Sequence, residues 1–141
     1  MNADHYQALS AAARRVVDIS AQDGAFEADI SQAIRIVLGD PRFYPDVYLH
    51  PNPTGVLVDP ESKRHVRFGA GGPGGGDFMG MLAPTGRHLE AEIKRRSPAG
   101  RQSEEQRQRQ ALVERFGGAY RVLRSVDDAE QWIRDLRGGK Q

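Results

Sequence analysis

Cysteine is absent from all 141 residues. That removes any disulfide framework and any thiolate metal centre, and it fits a reducing compartment. Apolar runs are short: none approaches the roughly 20 residues that a membrane-spanning helix requires, so no membrane partner is expected. The opening MNADHYQALS lacks the charged and then apolar pattern of a secretory signal, so the chain is expected in the cytoplasm. The four histidines, at positions 5, 50, 65 and 88, are scattered and show no paired-ligand spacing, which argues against zinc. A His-Asn nuclease site at His50 and Asn52 is discounted because a second framed histidine is missing. Net charge is nearly lacking too, at +1, but it is unevenly spread. Residues 1–60 hold four Lys/Arg against eight Asp/Glu, and Arg87 to Arg109 holds seven against four. A mild positive field over the second half suits a phosphate-backbone ligand.

What the chain does have is concentrated between Gly69 and Arg96, GAGGPGGGDFMGMLAPTGRHLEAEIKRR. Phe78 to Ala83 is a short apolar run, Pro84-Thr85-Gly86 has turn chemistry, and Arg87 to Lys94 alternates polar with apolar, the pattern of a β-hairpin. On the second strand His88, Glu90, Glu92 and Lys94 share one face, and Leu89, Ala91 and Ile93 share the other. A turn centred on Thr85 brings Asp77 within a residue of being opposite Glu92. Two carboxylates at one spot destabilise a sheet unless a positive group joins them. A divalent cation resolves the conflict, and hard oxygen ligands favour magnesium or manganese. Lys94 then sits beside the ion.

The remaining residues read as support. Tyr6, Leu9, Ala13, Val16 and Val17 predict an amphipathic helix over 5–20, and Ile30, Ala33, Ile34, Val37 and Leu38 predict another over about 25–39. Glu27 lies on the flank of that second stripe; a first-turn Glu stabilises a helix N-terminus, and a ligand role is the alternative. Val47–His50, Val56–Val58 and His65–Phe68 read as short strands. Six glycines between Gly69 and Gly76 invite a phosphate-loop reading. That reading fails, because the Gly-Lys-Ser/Thr ending is missing and a strand follows where a nucleotide loop needs a helix. The glycines are expected instead to let backbone approach a polyanion and to deliver Asp77. Ser103 with Gln106 is a capping box opening a helix to Phe116, which accounts for Gln106 with no further role. Ala119–Arg124 is a strand, Ser125 caps a last helix, and Trp132 belongs to its buried stripe. The sum is an α/β chain, a mixed sheet flanked by helices.

From Glu27 to Leu136 the chain resembles the VRR-NUC domain of the PD-(D/E)xK nuclease superfamily, in its small stand-alone form from phages and prophages. The resemblance is carried by NPTG at 52–55, RFGAGGPGGGDFMG at 67–80, HLEAEIKR at 88–95, GRQSEEQ at 100–106 and GGAYRVLRSVDDAEQWI at 117–133. It implies a restriction-endonuclease-like fold and a magnesium- or manganese-dependent nuclease acting on DNA, with branched structures as substrate. It implies Asp77, Glu92 and the backbone carbonyl of Ile93 as metal ligands, and Lys94 as the group that orients or activates water. Glu27 matches the acidic position of the first helix, and Gln106 the glutamine after the core lysine. Gly76 stands where the superfamily's nickname has proline. Residues 1–22 are then an N-terminal helical extension, 23–137 the nuclease domain and 138–141 a flexible tail. A homodimer would set two such sites on a four-way junction. The competing reading keeps the fold without the chemistry, as a non-catalytic nucleic-acid-binding or assembly subunit.

Overall fold

The computed structural model describes residues 1–140; Gln141, the last residue of the expected tail, lies outside the described residues. Six strands and five helices follow one another as α1 (Ala3–Ala8), α2 (Ala11–Ser20), α3 (Glu27–Leu38), β1 (Val47–Pro51), β2 (Gly55–Val58), β3 (His65–Phe68), β4 (Phe78–Leu82), β5 (Arg87–Ile93), α4 (Glu104–Arg115), β6 (Ala119–Leu123) and α5 (Val126–Arg137). The main sheet has the order β1-β4-β5-β6. Its first two pairings are antiparallel and β5 with β6 is parallel, so the fold is mixed α/β as expected. The hairpin of β2 and β3 is a sheet of its own.

The sheet is two-faced because β5 alternates. Leu89, Ala91 and Ile93 point into a core shared with Ile30, Ile34 and Leu38 of α3 and with Trp132 and Ile133 of α5. These side chains are fully buried, and cutting one back to alanine costs about 2–5 kcal/mol. Glu90 and Glu92 fall on the opposite face, beneath α4, which adds Val113 there.

One helix was expected over 5–20, and two are present. Ser10 interrupts it: its hydroxyl accepts the Ala13 N–H at 3.1 Å and starts α2 as an N-cap. The break lets Leu9 turn inward, and Leu9 and Val17 both enter the common core. A buried glutamate anchors this N-terminal part. Glu130 of α5 accepts Asn2 N–H at 2.9 Å and the Tyr44 hydroxyl at 2.5 Å, and pairs with His5 at 3.0 Å. At the other end Gly139 takes a positive φ, and the Lys140 N–H closes α5 on the Asp135 carbonyl at 2.8 Å. Among the described residues no helix is long and apolar enough to cross a membrane.

Candidate active site

The hairpin register runs Phe78↔Ala91, Met79↔Glu90 and on to Leu82↔Arg87. Continuing it by one residue sets Asp77 opposite Glu92. The contact is made through backbone: Asp77 Oδ2 accepts the Ile93 N–H at 2.7 Å, extending the ladder with a side chain in place of a carbonyl. In a strand the N–H and C=O of one residue point to the same side. The Ile93 carbonyl is therefore aimed toward the edge where Asp77 stands.

Glu92 is 6% exposed and is gripped through one oxygen. Its Oε1 accepts Gln106 Nε2 at 2.6 Å and faces Lys94 Nζ at 3.5 Å. Burial, then the Asp77 charge, push its carboxyl up to about 7 against the pull of Lys94, with a smaller push from Glu27. Among the described residues Asp77 Oδ1 and Glu92 Oε2 have no protein donor. Asp77, Ile93 and Glu27 line one open cleft of about 310 Å³ with Ser31, Asn52 and Thr54. All six candidate residues, Glu27, Asp77, Glu92, Ile93, Lys94 and Gln106, thus gather at one end of the sheet.

The capping reading of Gln106 is half of what that residue does. Ser103 Oγ accepts the Gln106 N–H at 3.1 Å and Gln106 Oε1 accepts the Ser103 N–H at 2.8 Å, the expected box. The amide nitrogen is left over, and it is the group that binds Glu92. Glu27 shows the converse. The side chain that caps α3 is Asp29, whose Oδ2 accepts the Phe26 N–H at 3.1 Å, and Glu27 is left to line the cleft.

Two residues escaped the sequence reading. Asn52, 8% exposed, closes the glycine tract: Nδ2 donates to the carbonyls of Ala70 and Gly76, each at 2.9 Å, and Oδ1 accepts the Ala70 N–H at 3.0 Å. Its own N–H donates to the Asp77 carbonyl at 2.8 Å. Glu90, which shares a strand face with Glu92 and Lys94, is a structural anion. It is fully buried and clamped by Arg109, with Nε at 3.0 and 3.2 Å from its two oxygens, by His88 at 2.8 Å and by the Gly76 N–H at 3.2 Å. Burial alone would raise its carboxyl, but these donors hold it below the usual range.

Several of the glycines pack against protein, although Gly72 faces open space. A Cβ on Gly76 would sit 2.8 Å from the Ala91 carbonyl oxygen, and one on Gly74 would fall inside the Glu105 carbonyl at the start of α4. The tract is a packed wedge between β5 and α4 that presents Asp77. The positive charge around it is also more committed than its count suggests. Arg87, Arg95 and Arg96 donate to backbone carbonyls, and Arg107 and Arg109 pair with Glu104 and Glu90. Arg101 is the one base of the Arg87–Arg109 run with neither hydrogen bond nor ion pair among the described residues.

No group of three or more His, Cys, Asp or Glu side chains able to hold an ion converges among the described residues. The donor set available is two carboxylates, each with a free oxygen, and one backbone carbonyl, all hard oxygens; magnesium typically takes only one or two protein carboxylates, with water and phosphate as its other ligands. The residues fit such an ion. Comparison of the chain with protein-family models, with curated proteins and with solved structures finds no match.

Proposed function

We propose that the protein is a metal-dependent nuclease that hydrolyses phosphodiester bonds of DNA, in the manner of the VRR-NUC domain it resembles in sequence. The observation that carries this reading is that Asp77, one residue before β4, stands close enough to Glu92 of β5 for its charge to raise that carboxyl, with Lys94 Nζ 3.5 Å from Glu92. A protein that only bound nucleic acid would gain nothing from two converging carboxylates on a surface meant for phosphate, because like charges there repel both each other and the ligand.

Asp77 Oδ1, Glu92 Oε2 and the Ile93 carbonyl would hold magnesium or manganese. Such an ion supplies Lewis-acid polarisation of the phosphoryl oxygen and a water of lowered pKa. The chain's own residues do the rest. Gln106 fixes the Glu92 rotamer, so one oxygen is spent on positioning and the other is free. The Lys94 ammonium stands where it orients the attacking water and offsets charge building on the phosphoryl oxygens as that water adds and the sugar oxygen departs. Glu27, across the cleft, is placed to accept a proton or hydrogen bond from water.

Substrate structure is set by what approaches the cleft, and branched DNA is the class the resemblance implies; a two-fold dimer would present two clefts to one junction. The test is purified protein with magnesium against single strands, duplex, flaps and junctions, with Lys94→Ala as control. Magnesium-dependent cleavage lost in the variant supports the reading. Tight DNA binding with no cleavage in magnesium or manganese favours the binding-subunit reading instead.

A further inference from the structure

Between the β2–β3 hairpin and the glycine wedge lies a second recess, about 240 Å³, lined by Thr54, Val56, Arg67, Phe68 and the loop glycines. Thr54 lines both this recess and the cleft that holds Asp77, so the two are neighbours that share a wall. Its volume is below the roughly 300–1,000 Å³ of sites that enclose a whole small ligand. A recess of that size beside the proposed phosphodiester site fits the next unit of the same polymer.

The hairpin itself is built as an arm. Both strands are exposed along almost their whole length, and they pair only with each other. An isolated two-stranded hairpin is marginally stable at best in water. The register gives it two different faces. Leu57, Val66 and Phe68 share one, with the Phe68 ring lying over Gly55, where a Cβ would come within 2.6 Å of it. Val56, Val58, His65 and Arg67 share the other. Arg67 is exposed and makes no hydrogen bond or ion pair among the described residues, unlike most of the arginines on the far side of the cleft. A guanidinium with no protein partner, in a recess adjoining the proposed phosphodiester cleft, is chemically suited to bind a phosphate.

We infer that the recess is a subsite for the phosphodiester next to the scissile one, bound by Arg67, with Val56, which shares its face of the hairpin, against the attached sugar or base. The inference rests on the nuclease reading and deepens it: the enzyme grips one strand at two successive phosphates, one in the cleft and one under the arm.

A chemical double-mutant cycle tests it. A cleavable oligonucleotide carries a neutral methylphosphonate one position to either side of the scissile bond, and each version is tried with wild type, Arg67→Gln and Arg64→Gln. Arg64 lies between the strands, outside the recess, and removes the same charge. The expected result is a KM raised about tenfold in Arg67→Gln with kcat kept, the scale of one direct charge-assisted hydrogen bond to phosphate. Arg64→Gln should change KM less than about twofold, the ordinary size of a distant exposed charge. At one of the two positions the methylphosphonate should weaken the wild type and leave Arg67→Gln unaffected. In EDTA, the slope of log Kd against log salt should fall by about one for Arg67→Gln. Wild type that cleaves while Arg67→Gln keeps its KM and its penalty for every methylphosphonate overturns the subsite alone. Wild type that fails to cleave any DNA overturns the nuclease reading, and the subsite with it.

Discussion

Asp77 takes the Ile93 N–H on one carboxylate oxygen at 2.7 Å and lines the cleft, its other oxygen without a protein donor among the described residues. One side chain therefore serves as the last rung of a β-ladder and as the first donor of a site. The two jobs are separable by isosteric substitution, since an asparagine oxygen still accepts that hydrogen bond but carries no charge.

Asp77→Asn should keep the fold and lose the chemistry. The expected outcome is a melting temperature equal to or above wild type, with cleavage in magnesium reduced by about 100-fold or more, the scale of losing one electrostatic contributor to the transition state. Asp77→Ala, Glu92→Ala and Lys94→Ala should each abolish cleavage while DNA binding stays measurable. Full activity in any of them removes the assignment.

Glu92 predicts a pH signature in the metal-free protein. Its folded pKa, about 7, lies above the ordinary 4.5, so the folded state binds this proton more tightly than the unfolded chain does. The sign follows. Stability is full below about 4.5, declines as pH rises toward 7, and is flat beyond. In EDTA, Glu92→Gln should remove that decline and exceed wild type in stability at pH 8. Parallel stability curves for the two proteins from pH 4.5 to 8 would show that neither burial nor the Asp77 charge raises Glu92.

Gln106→Glu separates cap from catalysis. A glutamate still accepts the Ser103 N–H and completes the capping box, but it has no amide to donate and sets a third negative charge against Glu92. Helix content should be unchanged, and cleavage should fall about 10- to 100-fold, the usual cost of losing a group that orients a metal ligand. Gln106→Ala, which loses both functions, should also destabilise α4. Equal activity in Gln106→Glu and wild type would return Gln106 to the status of a cap.

Arg109→Ala strands the fully buried Glu90 without its cation. Breaking a buried pair by removing one partner costs about 3–5 kcal/mol, and here the Gly76 N–H bond to Glu90 ties the damage to the tract that ends at Asp77. Urea unfolding at pH 7 is the measurement. A loss under about 1 kcal/mol, the size of a surface pair, would contradict the clamp.

The parts of this site that depend on nearby residues were legible in the sequence, and those that depend on distant ones were not. Turn chemistry at Pro84–Gly86 sets the hairpin register, and alternation sets the two faces of β5, so the meeting of Asp77 with Glu92 follows from local pattern. The capping box of Ser103 and Gln106 is equally local, yet it says nothing about the spare amide nitrogen, whose partner is 14 residues away. Asn52 reads as an ordinary turn residue because its partners lie 18 and 24 residues further on. Glu90 is indistinguishable from Glu92 by periodicity, and only the arrival of Arg109 from α4 makes one an anchor and the other a ligand candidate. The glycines were legible as close approach, and at Gly74 and Gly76 the approaching partner is protein backbone, from the distant Glu105 and Ala91. The helix break at Ser10 was missed because the apolar spacing runs through it unbroken.

Strand β5 carries core residues on its odd positions and acids on its even ones. A slip of a single residue during folding would push Glu90 and Glu92 in among Ile30, Ile34 and Trp132 and turn Leu89, Ala91 and Ile93 out toward water. The penalty is far beyond what a mispaired sheet can absorb. The alignment of the acids is thus checked at the moment the chain assembles: a molecule that has folded at all has already placed them correctly.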